Sequence, residues 1–171
     1  MPKIYSFSDY DKYMALKMDV GLWLVIAYFL RPIILKIASL RMGRGGSGVA
    51  GAGGLKDMLY PNDFSFFVAL VITIPAIIVL IAYAKRKPGA AALIQTIWHR
   101  GAILLMVTAV LNMVAVFVPL AMDLTHHITA YGWGQLAAAV VIFGYLYASE
   151  RVKDTFADFP TEAQLEGRRE G

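Results

Sequence analysis

Four polar side chains fall at or near mid-depth in runs that are otherwise apolar: Arg31, Thr73 and Asn112, with Gln135 somewhat nearer one edge. Arg31 is the only cation among them. Its planar fork of N–H donors fits carboxylate or phosphate, so the four residues form a candidate intramembrane polar site for an anion or a lipid headgroup. No acidic residue lies inside the apolar runs. Arg31 then has two other readings: it ties helices together through neutral partners, or the first run is tilted and broken so that Arg31, Lys36 and Arg41 climb to the surface.

Other constellations carry less. GSGVAG, residues 46–51, has the spacing of a dinucleotide fingerprint, but that fingerprint needs a strand before it and a helix after it in a parallel unit. With seven glycines among residues 43–54, the stretch reads as a flexible linker. DLTHH, residues 123–127, offers Asp123, His126 and His127 to a metal, yet adjacent histidines diverge on a helix and no fourth ligand is apparent. Haem between helices needs histidines within them, and His99, His126 and His127 lie outside the apolar runs. No Ser–His–Asp arrangement or pair of carboxylates in a common pocket can be argued. The chain has no cysteine, which removes disulfides and thiolate sites. No catalytic residue, metal site or cofactor is expected, and the chain reads as a non-enzyme.

The elements that position Arg31 and its companions follow from hydropathy. Of 171 residues, 58% are hydrophobic, against about 45–50% in globular chains, and the mean hydropathy is +0.60. Crossing a hydrocarbon core takes roughly 20 apolar residues as a helix. Four segments qualify, at about 20–40, 64–84, 102–122 and 129–148. The expected fold is all-α, a polytopic four-helix transmembrane bundle. An interfacial segment, 1–19, precedes it and the first apolar run is retained; a glycine-rich outer loop, 41–63, interrupts it, and a charged cytoplasmic tail, 149–171, follows, expected to be loosely structured over 156–171.

Flanking Lys and Arg number eleven on the side of the termini and the 85–100 loop, against Arg41, Arg44 and Lys56 opposite. Both termini are therefore expected in the cytoplasm, and this clustering at membrane flanks excludes a nucleic-acid partner. Asn62 and Asp63 read as the cap that starts the second span. Arg31 lies eleven residues into the first span, roughly 16 Å deep at the helical rise. Pro32, Pro75 and Pro119 are expected to kink their helices and to free the carbonyls of Tyr28, Val71 and Ala115. Gly134 with Ala138, and Gly144 with Ala148, form a candidate helix-contact face on span four.

Two stretches, DKYMALKMDVGLWLVIAYFLRP at 11–32 and MLYPNDFSFFVALVITIPAIIVL at 58–80, resemble the YfeZ-like family of small bacterial inner-membrane proteins, a domain of unknown function. An aspartate-containing approach to a tryptophan-bearing span ending in Arg-Pro, and a YP-[ND] start to a span with a central proline, carry the resemblance. It implies a bacterial inner-membrane location and no established activity. The functional expectation is an accessory or structural subunit packed with lipids or a larger membrane complex. The alternative is a small oligomeric transporter or channel, with Arg31, Asn112 and Thr73 lining an anion path. An enzyme acting on lipid headgroups would want an acid–base pair at one interface, and none is visible.

Overall fold

The computed structural model describes residues 5, 9–11, 13, 15–42, 60, 62–123 and 126–160. Most of the glycine-rich loop, GSGVAG included, and the end of the tail, 161–171, lie outside them. The described residues are all-α: α1 (Val20–Phe29), α2 (Arg31–Met42), α3 (Asp63–Ala84), α4 (Ala92–His99), α5 (Gly101–Ala115), α6 (Val118–Ala121), α7 (Ala130–Ala148) and α8 (Glu150–Ala157). One isolated bridge, Tyr10 to Leu16, is the only extended pairing among them.

α3 is long and apolar enough to cross a membrane by itself; α1 with α2, bent by 60°, and α4 with α5, bent by 55°, bring the number to three if each pair is one span. α7 stands apart from this set because Tyr131, Gln135 and several glycines dilute its first turns. The proline effects differ with position. Pro32 occupies the second position of α2, just after the break at Leu30. Pro119 likewise opens α6, after α5 has ended at Ala115. Pro75 sits inside α3, which continues as one 22-residue helix.

Caps set the starts. Asn62 Oδ1 accepts from Ser65 N at 2.7 Å, Thr129 Oγ1 from Gly132 N at 3.1 Å, and Ser149 Oγ from Val152 N at 3.4 Å. Each satisfies a free donor of a first turn. α5 is the central element, packed on α3 and α7. The core around it joins Leu22, Ile26 and Phe29 of α1 to Ala76, Val79, Leu105, Ala109 and Leu146.

One end of the bundle gathers both terminal segments over α4. The Trp98 indole is fully buried and donates to the carbonyls of Thr155 at 3.1 Å and Asp158 at 2.9 Å. Arg86 lies 4.5 Å over that ring and donates to the carbonyls of Leu16 and Asp158, each at 2.9 Å. Burial pushes the Arg86 pKa down, with Asp158 and Asp11 opposing the shift. Asp158 also accepts from Leu16 N at 2.6 Å, and Arg151 pairs with Asp9 at 3.0 Å.

The first residues of the stretch expected to be loosely structured, 156–160, are instead packed on the bundle, and 161–171 lie outside the described residues. α8 buries Val152 and Phe156, and Phe159 follows them inward. The spacing of Val152 and Phe156, four apart behind a serine cap, carried that information, but the surrounding charges masked it.

α8 approaches α5 closely enough that a β-carbon on Gly101 would overlap the Phe156 ring. Gly101→Ala is expected to lower stability by about 1–3 kcal/mol through overpacking, although alanine is the better helix former. The midpoint of thermal unfolding in detergent reads this out; an unchanged midpoint would contradict the packing of α8 on α5.

Candidate functional site

The break between α1 and α2 creates the site. Pro32 has no N–H, so the Tyr28 carbonyl four residues back lacks its helical donor. Arg31 Nη1 donates to that carbonyl at 3.4 Å, and the guanidinium stacks 4.2 Å over the Tyr28 ring. Arg31 Nε donates to the Tyr60 hydroxyl at 3.2 Å, and Nη2 to Asn112 Oδ1 at 3.1 Å. One guanidinium thus joins the first two helices, the approach to α3, and α5.

Asn112 is held in one orientation, since its Nδ2 donates to the Thr108 carbonyl at 2.9 Å. Gln135 meets the same turn from α7, with Nε2 at 3.5 Å from the Asn112 carbonyl, and the Tyr28 hydroxyl donates to the Gln135 carbonyl at 3.3 Å. Thr73 stands one step away. Its hydroxyl lies 2.8 Å from the Ala69 carbonyl and 3.1 Å from that of Phe29, tying α3 to the break rather than to Arg31.

The groups acting on Arg31 are Tyr60, Tyr28 and Tyr131, and no carboxylate among the described residues pairs with it. Its bonds within the described residues are made to neutral atoms, so among them its charge is solvated but not neutralised. Beside it, at the end of the bundle away from the termini, a cavity of about 70 Å³ lies between α3, α5 and α7. Tyr60, Ser65, Asn112, Tyr131 and Gln135 give it polar walls, and His127 and Thr129 belong to its lining on the connection before α7. None of the described lining residues is acidic. Ser65 Oγ is buried there without a hydrogen-bond partner. Burial pushes the Tyr60 phenol up to about 12, so it keeps its proton at neutral pH. Its oxygen accepts from Arg31, and its hydroxyl also interacts with that of Tyr131.

Arg31, Asn112 and Gln135 come together, then, while Thr73 is a neighbour with a separate task. The freed Tyr28 carbonyl is where the sequence puts it, whereas Tyr60, Ser65 and Tyr131 are additions that only the structure supplies. By residue type Tyr60 and Tyr131 suit a membrane interface as well as a site, and nothing local marks Ser65, whose neighbour Asn62 explains only its N–H. Gly134 and Gly144 face open space and Ala148 is exposed, so this face of α7 meets no other helix of the chain among the described residues. His126 and His127 are exposed, and no group of three metal-ligating side chains occurs among the described residues.

These features define a class: an all-α protein with one to three candidate membrane-crossing helices and a partly buried, unneutralised arginine beside a polar cavity. Residues 5–158 match the family described as "Protein of unknown function (DUF2919)", and the chain belongs to that family. No curated protein and no solved structure matches it.

Asn112→Ala is expected to cost about 1.5–3 kcal/mol, because a charged donor loses its acceptor. Gln135→Ala, which removes only a long contact, should cost about 1 kcal/mol or less. Thermal unfolding of the two variants side by side checks the ranking; equal losses would mean that Arg31 does not depend on Asn112. On the open face of α7, Gly144→Ala should stabilise by about 0.5–1 kcal/mol through helix propensity alone, and destabilisation would reveal a close neighbour there.

Proposed function

We propose that this chain is a multi-pass protein of the bacterial inner membrane that crosses the bilayer four times with both termini in the cytoplasm. It acts without catalysis, as an accessory or structural subunit packed with lipids or a larger membrane complex. α7 supplies the fourth crossing: 19 residues span about 28 Å at the helical rise, close to the hydrocarbon thickness of about 30 Å. Its polar residues Tyr131 and Gln135 line the cavity, whereas Trp133, Val140, Val141 and Tyr147 are exposed and suit lipid. The imbalance of Lys and Arg, eleven against three, sets the orientation, and the resemblance to YfeZ-like inner-membrane proteins agrees with this location.

The observation that carries the functional reading is the solid packing on the inner side of the Arg31 cavity, where α5 side chains before Asn112 are fully buried. Beneath Asn112 the chain is closed by Thr108, Leu105 and Ala109, all 0% exposed, and then by Trp98 under the Arg86 cap. A bundle built this way holds something at its outer mouth and blocks passage below it. The second reading, an anion transporter, draws on the unneutralised charge of Arg31. It requires the Trp98 cap to open.

The chain lacks cysteine, so single-cysteine variants report topology directly. With a membrane-impermeant maleimide on spheroplasts, His127→Cys should label in intact cells and Lys153→Cys only after permeabilisation. The reverse pattern overturns the orientation. Proteoliposomes containing the protein should hold an anion gradient as well as empty ones do, and dissipation would favour the transporter.

A further inference from the structure

We propose that the cavity beside Arg31 binds one anionic group, a carboxylate or a phosphate ester, which takes hydrogen bonds from wall hydroxyls while Arg31 supplies the opposing charge from one hydrogen bond behind. The proposal rests on the membrane placement above and names the ligand class of that outer mouth.

Three independent observations converge on it. Charge is the first. A guanidinium removed from water carries a large desolvation penalty that neutral acceptors offset only in part, and Arg31 has neutral acceptors alone: Tyr60, the Tyr28 carbonyl and Asn112. Two of these, Tyr60 and Asn112, also line the cavity. With no acidic side chain among the described lining residues, the field they and Arg31 set up in the cavity is positive, and in a medium of low dielectric such a field is weakly screened. Cations are repelled and an anion is drawn in.

Donor chemistry is the second. The Tyr60 oxygen accepts from Arg31 and its hydroxyl interacts with that of Tyr131, so this pair of hydroxyls keeps one proton to give. Ser65 Oγ is buried against the cavity with no partner, and a buried hydroxyl left in that state is unfavourable until something bonds to it. The Tyr131 hydroxyl belongs to the same lining. Asn112, in contrast, spends its amide donor on Thr108 and presents its oxygen to Arg31. The walls therefore present spare hydroxyl protons beside a fixed cation, the complement of an oxyanion.

Space is the third. The cavity of about 70 Å³ exceeds the roughly 10–15 Å³ that one water requires. A carboxylate or phosphate group enters where the connection before α7 meets the end of α5. The apolar wall of Ala115, Val116 and Pro119 suits the carbon skeleton that carries the group. A phospholipid headgroup and a soluble anion present the same oxygens to these donors.

Two measurements on the full chain test this. In the first, the protein is released for native mass spectrometry from nanodiscs of phosphatidylethanolamine, with and without phosphatidylglycerol. In the second, inorganic phosphate or acetate is titrated in neutral detergent while thermal unfolding is followed. Wild type should retain one phosphatidylglycerol or be stabilised saturably by one of the small anions. The first result identifies the source as a lipid headgroup, and the second as a soluble anion.

Arg31→Gln should lose the binding, but its fold is at risk, so two further variants carry the test. Asn112→Asp places a carboxylate against Arg31 and neutralises it from within. Ala115→Leu fills the cavity and leaves Arg31 untouched. Each should weaken anion binding by about tenfold or more while the protein elutes and unfolds as a folded bundle. No anion binding by wild type in either measurement, or binding unchanged in both variants, overturns the proposal. The cysteine-labelling pattern reports the membrane placement separately, so a failure of one is not a failure of the other.

Discussion

A permanently charged guanidinium stands where the first helix breaks, and the far half of the bundle is arranged around keeping it solvated. Arginine cannot shed its proton to escape an apolar setting, so its N–H groups must find acceptors within the protein. Pro32 frees one of them by withholding a backbone donor from Tyr28. Asn112 supplies another from the middle of α5, and Tyr60 a third from the approach to α3. The 60° bend between α1 and α2 and the orientation of Asn112 are parts of one solution.

The other end of the molecule solves a different problem. There the terminal segments must close over the short helix α4, and the interactions that do it are backbone carbonyls of residues 16, 155 and 158 reading the Trp98 indole and the Arg86 guanidinium. Arg86 differs from Arg31 in having a carboxylate close by, Asp158 at 3.9 Å. It is a compensated charge in a packed cap, whereas Arg31 is an uncompensated one beside a cavity. The molecule is polar and open at one end, sealed at the other, and this asymmetry is what the functional reading uses.

Much of the fold was legible because hydropathy and capping are local. The run at 64–84 and its Asn62 start follow from counting apolar residues and finding a side-chain acceptor ahead of them. The break near Arg31 follows from the chemistry of proline. The α8 segment was not legible as ordered structure, since its two buried residues sit among charges that by themselves read as solvated. Depth along the helix grouped Thr73 with Arg31, yet its hydroxyl serves the Phe29 carbonyl, because depth along a helix says nothing about the direction a side chain faces in the bundle.

By itself the sequence determined that the chain is helical and apolar, that Arg31 has no acidic residue in its own runs, and that a carbonyl is freed beside it. These are properties of composition and of spacing along one helix. Only the tertiary structure decided that Tyr60 and Asn112 share Arg31, that Ser65 is left unpartnered in a cavity, and that Gly134 and Gly144 face away from the rest of the chain. The reason is geometric. Residues 29 and 81 positions from Arg31 meet it through the packing of separate helices, and that packing depends on the sum of many apolar contacts that no single stretch encodes.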